Sequence, residues 1–437
     1  MRTRTALRFF LPVLTAASVL NGQQPATPAP ALPTQQPLTI STTEPGSDLT
    51  VYLLTFGWGD AVWERFGHNA IWIKDRAHNT DITYNWGMFD FNQPHFIWRF
   101  VTGDTRYWME PIDLQTMARY YRQFNRSILA QELNLTPAQR LKLQQYVMMN
   151  ALPQNKFYRY DYYRDNCSTR LRDALDHALG GQLQTSTVSR MTQGTYRWHT
   201  QRLMTGNLPL YTGVTLALGR PADKPLSMWQ EMFLPVRMAN DLRTVTIADS
   251  VGDQIPLVRS ESTLFVAGRA PEPAKAPAYL PIFVAIGIIY AALLVILVRR
   301  AESGGKGALF GATALATLWS LIAGVGGLAL VFAWLFTSHY FMGRNENLMQ
   351  FDPLSIALVV LVPLALYTVR AHSRTVKLAG WVAAISLFGC VAQVIPFFYE
   401  KNGEIIALAL PINLAVWWTV YRLSNYRRIS LPSSAAL

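Results

Sequence analysis

Cysteine is almost missing from this chain: 437 residues hold two, Cys167 and Cys390. Cys390 lies inside an apolar run and Cys167 in polar text, so a disulfide between them would join an aqueous domain to a bilayer interior, and none is expected. A lone thiol in an oxidising compartment needs a reason, which is either chemistry or packing as a small hydrophobe. The scattered histidines have no ligand spacing, so no metal is expected, and no cofactor either. Charged residues are scarce at 15% against 50% hydrophobic. That is too apolar for an ordinary soluble enzyme and too charged for a bare membrane bundle, so the averages conceal two unlike halves. The net charge of +12 does not imply nucleic acid, because the cations form no single stripe and several flank apolar runs. No internal repeat is present.

The chain opens with charge from Met1 to Arg8, an apolar stretch from Phe9 to Leu20 and small polar residues to Gln23, the order of a secretory signal. Residues 1–22 are read as that signal and the Pro- and Gln-rich residues 23–45 as a flexible tether. Residues 46–270 mix polarity, with Trp, Tyr and Arg throughout, and 271–278 form a Pro-rich linker. Five apolar runs follow, at 279–298, 308–336, 353–369, 378–398 and 405–421, and predict five transmembrane helices. Arg299, Arg300 and Lys306, then Arg370, Arg374 and Lys377, then Arg422, Arg427 and Arg428 flank these runs on alternate sides. The positive-inside rule places all three clusters and the 422–437 tail in the cytoplasm, and the N-terminal domain outside a multi-pass inner membrane protein.

Within the outer domain, Leu49 to Phe56, His68 to Ile73 and Asp81 to Asn85 predict a small antiparallel sheet. Residues 112–150 are read as helical, the second helix opening at Thr136-Pro137. Residues 205–270 are turn-rich. Asn166 caps a further helix that begins at Cys167 and stops at Gly180-Gly181. A thiol reacts as thiolate, and a helix start favours the anion, with Arg164 and Arg170 adding positive charge nearby. The base is sought among His68, His78, His95, His177 and His199. His177 is ten residues down the same helix and out of reach. His68 follows Gly67 at a strand start, where a glycine permits close approach.

Trp63-Glu-Arg-Phe-Gly-His-Asn-Ala70, Tyr84-Asn-Trp-Gly-Met-Phe-Asp-Phe91 and Asp165-Asn-Cys-Ser-Thr-Arg170 resemble the hallmark segments of the Lnb-type N-terminal periplasmic domain family. The order of histidine strand, second strand and Asn-Cys helix is similar to the permuted papain-like fold of the NlpC/P60 superfamily. The likeness extends over about residues 48–240 and takes in Gly219 to Trp229. It implies an α+β permuted papain-like domain followed by an all-α five-helix membrane domain. It implies Cys167 as nucleophile, His68 as base and a polar orienting residue on the next strand. Asp81, Thr83 and Asn85 all fall on one face of that strand, and Asn85 is favoured because it lies in the matched segment. Some Lnb proteins move an acyl chain within a lipoprotein to its N-terminal amine, so a lipoprotein or phospholipid substrate in the membrane is implied. Two other readings fit these residues: a cysteine amidase or peptidase of the cell envelope, and a non-catalytic scaffold or receptor.

Overall fold

The structure, a computed structural model, describes residues 44–430 except Ser250 and Tyr367, and leaves aside the side chains of Val369, Arg370 and residues 424–430. The expected signal and nearly all of the tether lie outside the described residues.

Strands β1 (Leu49–Phe56), β2 (His68–Asp75) and β3 (Thr80–Met88) form an antiparallel meander, as their alternation predicts. The sheet continues well beyond it. Helix α1 (Phe96–Thr102) leads to β4 (Arg106–Asp113), and α2 (Leu114–Gln123) to β5 (Ile128–Leu133). Next come α3 (Pro137–Ala151), β6 (Phe157–Arg159) and α4 (Cys167–Ala178). Five short helices follow: α5 (Gln182–Thr187), α6 (Tyr196–Leu203), α7 (Leu208–Ala217), α8 (Met228–Glu231) and α9 (Pro235–Leu242). A small hairpin of β7 (Thr246–Ala248) and β8 (Gln254–Pro256) precedes β9 (Val258–Phe265). Seven strands pair in the order β6-β4-β3-β2-β1-β5-β9, every neighbour antiparallel. The stretch read as uniformly helical thus contains β5, whose Ile128 and Ala130 face one core while Gln131 donates from the other face to Ala239 O at 3.0 Å.

Both faces of the sheet are covered. Val51, Leu53, Ile71, Ile73 and Trp86 pack against Leu171, Leu175 and Ala178 of α4, with Val147 of α3 and Met238 of α9 behind them. Phe56, Ala70 and Trp72 point the other way, onto Met117 and Tyr121 of α2. The α4 apolar stripe follows from residues three and four apart. Its start is fixed by Asn166, whose Oδ1 accepts from the N–H groups of Ser168 and Thr169 at 2.9 Å each.

Four helices among the described residues are long and apolar enough to cross a membrane: α10 (Leu280–Glu302), α11 (Lys306–Phe336), α13 (Val369–Val391) and α14 (Gly403–Ser430). The third expected run holds a different object, α12 (Ser355–Leu364), with ten residues and Pro363 inside it. That is about 15 Å of rise, half a hydrocarbon core. The preceding chain supplies the rest by dipping into the bundle. Gln350 Oε1 accepts from Ser386 of α13 at 2.5 Å, and Asn413 of α14 donates to Gln350 O at 3.0 Å and accepts from Trp319 at 2.7 Å. Asn413 is ten residues into its helix, about 15 Å below its start.

The N-terminal domain is bonded to the linker and to the bundle at several points. Arg202 holds the linker by Glu272 (3.0 Å) and Pro273 O (2.8 Å). Arg197, 1% exposed, donates to both oxygens of Asp223, to Thr215 O and to Leu218 O, and lies 3.1 Å from Glu400 at the start of α14. Tyr211 donates to Glu404 at 2.8 Å. The three basic clusters therefore lie at the bundle end away from this domain, where Arg422 pairs with Glu302 at 2.7 Å.

Candidate active site

Pairing between β2 and β3 stops at Ile71↔Tyr84, and β3 shifts register against β4 between Asn85 and Met88. The two strands part, and Cys167 enters the opening. A Cβ on Gly87 would stand 3.2 Å from Cys167 Cβ, and Gly87 has φ +91°, so a side chain is refused there on both counts. The opposite lip is made by Gly67, with φ +79° and Phe56 O where its Cβ would be, which turns the chain so that His68 starts β2.

The His68 ring is bonded to Asn85, with Nε2 3.3 Å from Oδ1. The amide orientation is fixed by its other end. Asn85 Nδ2 faces Thr83 O at 3.0 Å and Glu110 O at 3.4 Å, both acceptors, and Thr83 Oγ1 spends its proton on Ile112 O at 2.7 Å. Oδ1 must therefore point to the ring, Nε2 must carry the proton, and in the neutral imidazole Nδ1 is left as the bare acceptor. Of the three candidates on this strand, Asn85 touches His68, Thr83 holds Asn85, and Asp81 is turned away to Trp72 Nε1 at 2.9 Å. Phe56 and Tyr121 stack beside the imidazole at centroid distances of 5.8 and 6.3 Å. Burial pushes its pKa down to about 4, helped by the charge of Arg126.

Cys167 is 9% exposed. Its burial raises the thiol above its ordinary value, while the N–H groups of Asn69, Ser168 and Cys167 itself, and Arg126, pull the other way. At neutral pH the thiol and the imidazole both rest neutral. Of the expected cations, Arg164 is paired with Asp161 at 2.8 Å and Arg170 with Asp165, and neither is among the groups that lower the thiol. The cation that acts on both groups is Arg126, 3% exposed, lying 4.6 Å over the Tyr121 ring and 3.3 Å from Glu64. Nothing in the spacing of the chain pointed to it, since it stands alone between α2 and β5. The remaining histidines are occupied elsewhere: His78 by Asp75, His199 by Glu231 at 2.7 Å, and His177 against Tyr146, while His95 is the left-handed cap of α1.

Two family models match the chain, the Lnb N-terminal periplasmic domain over residues 40–205 and the Lnb transmembrane domain over 275–424. The protein belongs to the Lnb family. The first match takes in β1 through α6, hence the whole His68, Asn85 and Cys167 constellation, and the second takes in α10 to nearly all of α14. This is a membrane protein with a periplasmic domain. Between the two Lnb matches lie α7, α9 and β9, which complete the core and the docking surface. No curated protein and no solved structure matches the chain.

An aromatic wall leaves the site. Tyr160 stacks on Tyr107 at 4.2 Å, and Tyr107 on Phe89 at 5.0 Å. Phe89 meets Phe91 at 5.1 Å, and Phe91 meets Phe96 of α1 at 5.0 Å. Helix α1 ends against the bundle: Ser338 N–H donates to Thr102 O at 2.8 Å, and Trp98 lies 6.5 Å from Phe332 of α11.

Proposed function

We propose that this protein is a thiol-dependent acyltransferase working at the periplasmic face of the inner membrane, with Cys167 as nucleophile, His68 as base and Asn85 as the residue that sets the His68 tautomer. The periplasmic part is then a permuted papain-like domain, and the apolar helices serve as a multi-pass anchor. The observation that supports the reading is the run of aromatic rings from Tyr160 through Tyr107, Phe89 and Phe91 to α1, whose Trp98 lies against Phe332 of α11. A soluble peptide needs no such path; a lipid acyl chain does.

In the reaction, the Cys167 thiol proton passes to His68 Nδ1 as sulfur attacks an ester carbonyl. The C–O bond breaks, and the glyceryl oxygen leaves with the proton from the imidazolium. An amine then attacks the thioester, gives its proton to His68, forms the C–N bond and releases the thiol. A neutral resting pair suits this cycle, because proton transfer accompanies attack and no ion pair has to be kept in a dry site. The N–H of Cys167, in the first helical turn, can turn from the thiol to the oxyanion as charge moves there. A lipoprotein supplies both the ester and the amine; a phospholipid without an amine headgroup, such as phosphatidylglycerol, supplies the ester alone.

The test is intact-protein mass spectrometry of the full chain in nanodiscs with a diacylated lipopeptide. A single acyl adduct, removed by neutral hydroxylamine and absent in Cys167→Ala, is expected. His68→Ala slows its appearance by about 10²–10⁴-fold, the usual share of a general base. A wild-type protein that never acylates, or that instead cleaves an envelope stem peptide, sinks the proposal.

A further inference from the structure

Behind α1 lies a cleft of about 470 Å³, lined among others by Arg99, Arg106 and Lys156. Arg106 and Lys156 rest on the Phe157 ring at 3.9 and 5.3 Å, and neither they nor Arg99 is in an ion pair among the described residues. The two lining carboxylates are engaged locally: Glu110 accepts from Trp108 at 2.9 Å, and Asp90 from the Asn92 N–H at 2.8 Å and its amide at 3.0 Å. Three unpaired cations therefore line one space, which suits an anion with several acceptor oxygens.

The position of the cleft says where that anion comes from. On the other side of α1, Ile97, Trp98, Phe100 and Val101 are 70, 61, 55 and 43% exposed. These side chains continue the apolar belt of α11, where Leu335 and Phe336 are 64 and 69% exposed. The two elements are joined by Ser338 to Thr102 O and by His339 to Phe100 O at 3.0 Å. Arg159, beside the cleft on β6, reaches Ser338 O at 3.5 Å. An apolar helix at the depth of a span end, with cations immediately behind it, is the arrangement of an interfacial lipid contact.

We propose that α1 lies in the outer leaflet and that the cleft behind it holds the phosphate headgroup of a phospholipid. None of the cleft cations is part of the Cys167 site, and lipid retention does not depend on turnover there, so it is tested on Cys167→Ala protein. Native mass spectrometry of that protein, released from nanodiscs of phosphatidylglycerol, phosphatidylethanolamine or diacylglycerol, reads the retained lipid. Both phospholipids should be retained and diacylglycerol should not. Retention should fall by at least about tenfold in R99Q/R106Q/K156Q, the factor of one charge-assisted contact, and also in W98S/F100S, which leaves the cations in place. Folding of each variant is checked by its thermal transition. Equal retention in folded R99Q/R106Q/K156Q, equal retention of diacylglycerol, or displacement of the lipid by millimolar inorganic phosphate alone overturns the proposal.

Discussion

Replacing Arg197 by methionine is the sharpest test of how the two halves are joined. The guanidinium is 1% exposed, and its Asp223 and Glu400 partners are fully covered. Removing one member of a buried ion pair costs about 3–5 kcal/mol, because the charge left behind has no partner. Here the cost is confined to the lower end. Burial pushes Glu400 up to about 8, so at pH 7 that carboxyl is already mostly protonated and Asp223 alone is stranded. Against that, Thr215 O and Leu218 O lose donors at 2.8 and 2.7 Å. About 3 kcal/mol is expected, a drop of about 6–12 °C for a domain of this size, read by tryptophan fluorescence of the full chain in nanodiscs. Arg197→Met/Asp223→Asn should recover about half of the loss, because the stranded charge is gone. A single variant within about 0.5 kcal/mol of wild type, or a double variant no better than the single, would refute the reasoning.

Two further outcomes follow from the same geometry. Glu400 binds a proton in the folded state that it releases in the unfolded state between its ordinary value near 4.5 and about 8, so stability declines as pH rises through that window, by up to about 1.4 kcal/mol per unit, and levels off above it; Glu400→Gln should flatten the slope, and an unchanged slope assigns it elsewhere. Gly87→Ala puts a methyl 3.2 Å from Cys167 Cβ at φ +91°, whereas Gly206→Ala meets φ +84° with open space. Both should lose about 1–2 kcal/mol of stability, but only Gly87→Ala should slow Cys167 acylation, and equal rates would mean that the opening between the strands does not position the thiol.

Local patterns carried much of this fold. The alternation of β1 to β3, the Thr136 and Asn166 caps and the basic clusters are signals written within a few residues of where they act. What escaped was settled at long range. Strand β5 exists because it pairs with β1 on one side and β9 on the other, and short runs such as Ile128 to Leu133 sit as readily in a helical reading. Period-two spacing put Asp81, Thr83 and Asn85 on one face, and only the parting of β2 and β3 gives Asn85 to His68. Arg126 reaches the site through a turn of the fold that leaves no mark on its neighbours. Composition marks residues 353–369 as one apolar run and does not reveal that its regular helix is only Ser355–Leu364, or that Gln350 before it is bonded to α13 and α14.

That inward dip has a consequence for how the protein is made. Until α13 and α14 have been synthesised, Gln350 has neither Ser386 nor Asn413, and Asn347 lacks Glu400. A nascent chain ending before Ser386 would leave Gln350 without either bundle partner, so the segment that leads into α12 is not yet held. Its final placement waits for the last helix, and the C-terminal segment acts as the closing piece of biogenesis rather than as one more anchor.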